Sequence, residues 1–75
     1  MTALDVVFRF GQAPTPATMR ALQGLREVYG IRLLRFDAKE QTVRVEYDAS
    51  RLTESNIAGL LRRTGLDLRE KLELI

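Results

Sequence analysis

The chain has 75 residues, of which 45% are hydrophobic and 29% are charged, and it contains no cysteine and no histidine. A chain of this length forms at most one domain, so residues 1–75 are predicted to be a single globular unit. Twelve basic and ten acidic side chains give a net charge of +2, which by itself indicates no class of partner. The longest apolar runs are short and no signal-peptide pattern opens the chain, so we expect a cytoplasmic protein without membrane contact.

The first predicted strand alternates apolar and other residues and ends at Gly11; its inward set is Leu4, Val6, Phe8 and Phe10. A helix is predicted next, with Thr15 as its N-cap and Pro16 at its first position. It continues to Gly30 on an apolar face of Ala17, Ala21, Leu22, Leu25, Val28 and Tyr29. We expect Gly24, within this helix, to mark the close approach of another group.

Two further strands are predicted at residues 31–36 and 42–47, joined by a polar hairpin loop. Thr53 can cap a second helix, whose apolar face is Ile57, Leu60, Leu61 and Thr64 and which Gly65 ends. The fourth predicted strand runs from Leu66 to Leu74, with its leucines inward. The order βαββαβ predicts an α+β, ferredoxin-like sandwich: a four-stranded antiparallel sheet of order 4-1-3-2 with both helices on one face.

Several short segments resemble the heavy-metal-associated domains of copper chaperones and metal-transporting ATPases. These segments are Gly11, Gly30-Ile31, Leu34 to Asp37, Val43 to Asp48, Leu52-Thr53, Ile57, Leu61 and Thr64-Gly65. The resemblance extends from Gly11 to about Leu68 and implies the ferredoxin-like fold. It also implies, as an alternative function, a metallochaperone that carries copper or zinc.

The loop between the first strand and the first helix departs from the family motif G-M-T-C-x-x-C. The two metal-binding cysteine positions of that motif fall on Pro14 and Ala17, and its methionine position falls on Gln12. Soft metal ions need thiolate or imidazole ligands, which this chain lacks, so we expect no metal and no cofactor. The loop that remains consists of Gly11, Gln12, Ala13, Pro14, Thr15 and Pro16.

The face of the sheet opposite the helices is expected to carry Arg9, Arg35, Arg44, Arg69 and Lys71. Anionic protein surfaces or nucleic acids could bind such a face, but nucleic acid is disfavoured because parity turns the aromatic residues inward. Cross-strand ion pairs are the simpler interpretation of the charges.

No nucleophile in the chain has a general base at a motif spacing, so an enzyme is not predicted. The sequence favours a small interaction or regulatory module that uses the open face, the loop or an edge strand. Its protein partner is unknown, and a homodimer through strand four (Leu66 to Leu74) is a candidate.

Overall fold

The structure, a computed structural model, describes residues 3–72. Its elements are β1 (Ala3–Phe10), α1 (Pro16–Gly24), a 3-10 turn (Leu25–Glu27), β2 (Ile31–Asp37), β3 (Thr42–Asp48), α2 (Glu54–Arg63) and β4 (Leu68–Leu72). The four strands form one antiparallel sheet in the order β2-β3-β1-β4. The predicted ferredoxin-like fold and strand order are therefore confirmed. Neither described helix is long and apolar enough to cross a membrane.

The core lies between the sheet and the two helices. Alternate residues of β1 and β3 are buried, together with residues of α1 and α2: Val6, Phe8, Phe10, Leu22, Val43, Val45, Tyr47, Ile57, Ala58 and Leu61. Leu4, which was also predicted to face the core, is the exception, since 47% of it is exposed. Phe10 stacks on Phe36 with 4.8 Å between the ring centroids. The aromatic rings of the strands therefore serve the core, which leaves the opposite face of the sheet to charged and aliphatic side chains.

The first helix is shorter than predicted. It starts at Pro16 with Thr15 as its N-cap, as expected, but ends at Gly24 and tightens into the 3-10 turn, after which Val28 is extended. The prediction that Tyr29 faces the core is wrong, since 73% of this residue is exposed. Ala17 and Ala21 are exposed too, whereas Leu22 is buried as predicted and Thr18, which was not predicted, is buried beside it. The expectation for Gly24 is also wrong, because a Cβ there would meet no atom within 4 Å.

The second helix has a complete capping box at its start. The Thr53 side chain accepts a hydrogen bond from the backbone of Asn56, and the Asn56 side chain accepts one from the backbone of Thr53. Arg62 and Arg63 lie in the last turn, where their positive charges interact favourably with the negative end of the helix dipole. Gly65 follows with a φ of +93°, a conformation that suits glycine. These local signals explain why this helix matches its prediction closely.

The fourth strand contains an irregularity that changes which side chains share a face. Phe10 stands opposite Leu68 and Phe8 opposite Lys71, so Arg69 and Glu70 together occupy the place opposite Arg9. This extra residue puts Lys71 on the helix side, where its Nζ lies 3.1 Å from Glu54 Oε2. The prediction that Lys71 lies on the open face is therefore wrong. The predicted end of the strand, Leu74, lies outside the described residues.

Leu72 is affected by the same irregularity. It stands opposite Val7, whose parity places it on the open face, although the sequence pattern predicted an inward leucine. Leu66 and Leu68 do contribute to the core as predicted, one buried and the other packed against its edge. The predicted assignment of β4 side chains to the two faces of the sheet is thus correct before the irregularity and inverted after it.

Candidate functional site

The loop between β1 and α1 lies on the surface at one end of the sheet. Thr15 closes it at the helix start, where its hydroxyl accepts a hydrogen bond from the Thr18 backbone at 3.1 Å. Pro16 follows at the first helical position, where the missing N–H group costs nothing. Gln12, Ala13 and Ala17 are exposed and Pro14 is half-buried. The loop is accessible to a partner, and Thr15 and Pro16 fix its exit into the helix.

Side chains and backbone from two other segments hold the start of this loop. The Gly11 backbone N–H donates to the Asp67 carbonyl at 2.8 Å, and the Gln12 N–H donates to Asp67 Oδ2 at 3.1 Å. On the other side, Gln41 Nε2 donates to the Gly11 carbonyl at 3.1 Å. Asp67 Oδ2 also accepts from Arg69 Nη2 at 3.0 Å. The loop is therefore linked to the hairpin and to the segment before β4 by the protein's own groups.

The residues of this loop do not suit a soft metal ion. The positions that the family resemblance assigns to cysteine carry Pro14 and Ala17, and no cysteine or histidine exists elsewhere in the chain to replace them. The thioether of Met19 belongs to a partly buried side chain packed against the core. Within residues 3–72, no group of three or more acidic side chains could hold a cation either.

The open face of the sheet carries Arg9, Arg35 and Arg44, as their parity predicts. Two of them have acidic partners: Arg44 Nη2 lies 2.8 Å from Asp5 Oδ2, and Arg9 Nε lies 3.1 Å from Glu70 Oε2. Arg35 stands directly opposite Arg44 in the ladder between β2 and β3, and among the described residues it makes no ion pair. Charge on this face is thus largely neutralised, with Arg35 the exception among these three.

Arg69 lies between the open face and the loop. Its guanidinium pairs with Asp67 and lies next to Gly11, so that a Cβ on Gly11 would collide with both side chains. Of the five predicted cations, the structure brings Arg9, Arg35 and Arg44 together on three adjacent strands. Arg69 lies at the loop and Lys71 on the other side of the sheet.

Sequence reasoning missed Asp67 and Gln41 as residues that hold the loop. Each is far from Gly11 in the chain, and only the pairing of β1 with β3 and β4 brings them together. It also missed the part played by Asp48 at the opposite end of the sheet. The Ser50 hydroxyl and backbone N–H both donate to Asp48 Oδ1, at 2.7 and 3.0 Å, and the hydroxyl is the larger cause that lowers the pKa of this carboxyl.

Comparison with known proteins shows where this fold occurs. No protein family and no curated protein matches the chain. The copper(I)-loaded first domain of the human copper chaperone for SOD1 is 19% identical, with a TM-score of 0.71 over 95% of this chain and 99% of that one. The N-terminal domain of a potential copper-translocating P-type ATPase from Bacillus subtilis, in its Cu(I)-loaded state, is also 19% identical, with a TM-score of 0.71 over 99% and 96%.

At this level of identity the likeness shows the fold alone. The fold that the heavy-metal-associated resemblance implied is confirmed. The likeness extends over the whole βαββαβ unit, because nearly all of each chain is covered. The chain therefore shares its βαββαβ fold with two domains whose structures carry copper(I), and it has no cysteine with which to bind that ion.

Proposed function

We propose that this domain is a non-catalytic interaction or regulatory module that keeps the heavy-metal-associated fold without soft-metal binding. The observation that carries the proposal is the construction of the β1–α1 loop. Its backbone is held by Asp67 and Gln41, and the positions of the family cysteines are Pro14 and Ala17. A loop whose backbone is held by hydrogen bonds to neighbouring residues can keep its shape without a metal ion. This supports a role that does not involve metal transfer.

The surface that receives a partner is proposed to include the open face and the adjoining loop. Arg9, Arg35 and Arg44 lie on this face, and Arg69 borders the residues from Gln12 to Pro16. Val7, Leu33 and Leu72 add aliphatic area on the same side. An aliphatic surface with arginines at its edges suits a protein partner, because arginine is enriched at such interfaces.

Two features make nucleic acid a poorer candidate for this face. Phe8, Phe10 and Tyr47 are buried, so they present no ring on which a base could stack. Arg9 and Arg44 already have carboxylate partners, which reduces the positive field that a phosphate backbone would meet. The proposal is therefore a protein partner whose contact region includes carboxylates that can reach Arg35.

Titration with Cu(I) against a competing chelator tests the proposal directly. We expect the protein to leave the ion with the chelator, because no thiolate or imidazole is present. The matched control is the double variant Pro14→Cys/Ala17→Cys, which places two thiols at the positions that the resemblance indicates. This variant should take one Cu(I) per chain, and this result would show that the assay detects a site on this scaffold.

Stoichiometric capture of Cu(I) or Zn(II) by the unmodified protein, at micromolar affinity or tighter, would overturn the proposal in favour of a metal carrier. The same measurement on a Met19→Leu variant would then show whether the thioether is a ligand. Loss of binding would identify it, while unchanged binding would point to the thioether of Met1 or to oxygen ligands.

A further inference from the structure

A cleft lies at the end of the sheet opposite the β1–α1 loop. It is about 370 Å³ in volume and is formed by the 3-10 turn, the start of β2 and the segment after β3; its main lining residues are Arg26, Tyr29, Gly30, Arg32, Asp48 and Arg51. We call it the Tyr29 cleft. A volume in this range is at the lower end of what small-molecule sites enclose, roughly 300 to 1,000 Å³.

Three of the lining residues are arginines, and the structure fixes two of them in place. Arg26 Nη2 donates to the Leu34 carbonyl at 3.0 Å, which holds the side chain against β2 while its other N–H groups stay available. The Arg51 guanidinium lies over the Tyr29 ring, 4.4 Å from its centroid. Arginines positioned in this way lose little conformational entropy when an anion binds.

Arg32 has an acidic partner, since its Nε lies 3.8 Å from Glu46 Oε1, so Arg26 and Arg51 are the arginines left to an anion. The carboxylates that line the cleft are those of Glu27 and Asp48. Asp48 is committed to its own turn: Oδ1 accepts from Ser50, and Oδ2 lies 3.8 Å from Arg51 Nε, which is too long for a strong hydrogen bond. Most Arg51 donors are therefore available to another anion without the loss of a short contact.

The exposed ring of Tyr29 is unusual for a large side chain in so small a domain. With 73% of the residue exposed, its packing contributes little to the core, so its position is not explained by stability. The ring faces Arg51 on one side. Its remaining surface can contact a flat organic group, as aromatic side chains do with bases in nucleic-acid sites.

We propose that the Tyr29 cleft binds a small molecule that carries a phosphate group, with Arg26 and Arg51 facing the phosphate and Tyr29 beside its organic part. Guanidinium groups match the geometry of phosphate oxygens, and two of them together favour a group of charge −2 over a single carboxylate. The site shares no residue with the β1–α1 loop. The inference therefore does not depend on the proposed loss of metal binding.

Amide chemical shifts in NMR spectra, recorded in a phosphate-free buffer at low salt, test this inference. The probes are inorganic phosphate, adenosine monophosphate and adenosine. We expect both phosphate-bearing probes to shift the amides of Gly30, Ile31 and Ser50, and adenosine to leave them unchanged. Tighter binding of adenosine monophosphate than of phosphate would show that the organic group contributes through Tyr29; equal binding would show that the phosphate alone is recognised.

Two variants and a matched control make the test specific. Arg26→Gln and Arg51→Gln should each weaken phosphate binding about tenfold, as expected when a hydrogen bond to a charged group is lost. Arg20→Gln removes the same charge from an exposed position on α1 outside the cleft and should change binding by less than about twofold. The dispersion of each variant's spectrum shows whether it is folded.

Three results would overturn the inference. The first is the absence of shifts at the cleft with either phosphate-bearing probe, and the second is an equal loss of affinity in Arg20→Gln, which would indicate unspecific attraction. The third is tighter binding of a hexaglutamate peptide than of either phosphate probe at the same amides. That result would assign the cleft to an acidic protein segment instead.

Discussion

The carboxylate of Asp67 accepts a hydrogen bond from the backbone N–H of Gln12, a residue 55 positions earlier in the chain, at 3.1 Å. This contact joins the loop before α1 to the segment before β4. Replacing Asp67 by Ala removes it together with the pair to Arg69, and we expect a loss of about 1 kcal/mol in the free energy of unfolding. Amide hydrogen exchange at Gln12 and Ala13 should become faster.

The control for this prediction is Glu40→Ala, which removes an exposed acid whose side chain makes no hydrogen bond or ion pair among the described residues. It should leave both the stability and the exchange rates of the loop unchanged. If Asp67→Ala exchanged as slowly as the parent protein at Gln12, the contact would not be what holds the loop.

The helical glycines are predicted to be dispensable. A Cβ on Gly24 or Gly59 would meet no atom within 4 Å, so Ala at either position should stabilise the protein by about 0.5 to 1 kcal/mol. Gly30 is the contrasting case, since its φ is +101° and a Cβ would lie 2.9 Å from Leu52 Cδ1. Gly30→Ala should cost more than about 1 kcal/mol. Urea denaturation measures all three, and a stabilising Gly30→Ala would contradict the geometry.

The pairing of Arg35 with Arg44 predicts a gain from reversing one charge. Like charges directly opposite in a ladder repel each other, and only Arg44 has a carboxylate partner. Arg35→Glu should raise the free energy of unfolding by about 0.2 to 1 kcal/mol at low salt, and less at high salt. Arg35→Gln removes the repulsion without adding an attraction, so its free energy of unfolding should lie between those of the parent protein and Arg35→Glu. Equal stabilities for the Glu and Gln variants would show that the cross-strand charges do not interact.

We expect the stability of the protein to depend on pH through the hydrogen bonds in the turn after β3. Because Ser50 lowers the pKa of Asp48 below its unfolded value, near 3.9, this carboxylate stabilises the fold above that pH. The stability is lost as the pH falls through the lowered pKa. Ser50→Ala should therefore be less stable than the parent protein at pH 7, and the difference should shrink as the pH falls below the unfolded pKa of this carboxyl. Ser50→Thr keeps the hydroxyl and serves as the control; a difference independent of pH would assign the effect to packing.

Self-association through β4 stays a prediction that solution measurements can test. The strand lies at an edge of the sheet, where unpaired backbone groups can template a second strand. Its central residues Arg69, Glu70 and Lys71 alternate in sign, so an antiparallel pair that sets Arg69 opposite Glu70 of a second copy would be favourable. Light scattering should then show a dimer that dissociates in high salt. A monomer at high concentration and low salt would exclude this arrangement.

Most of the fold could be predicted because its signals are local. Thr15 and Thr53 cap the helices as expected, and the period of two in β1 and β3 assigns the core face correctly. The failures occur where local pattern competes with tertiary pairing. The apolar spacing up to Tyr29 suggested a longer helix, but the chain leaves the helix after Gly24 so that it can enter β2.

The candidate surfaces were harder to predict, since they depend on contacts between distant residues. The position of Lys71 required knowledge of a one-residue irregularity in the pairing of β4, which no pattern in the sequence indicates. Asp67 and Gln41 are ordinary polar residues until the sheet brings them beside Gly11. The Tyr29 cleft likewise combines residues from three separate segments, and its arginines are unremarkable in sequence.

The loop and the Tyr29 cleft lie at opposite ends of a sheet in a molecule whose longest dimension is 34 Å. A protein bound at the loop end of the proposed surface would leave the Tyr29 cleft uncovered, so both could be occupied simultaneously. If both proposals hold, the domain would bring a protein and a phosphate-bearing small molecule together on one scaffold. Any effect of binding at the loop on binding at the cleft would have to pass through the β-sheet, because both sites lie at its ends.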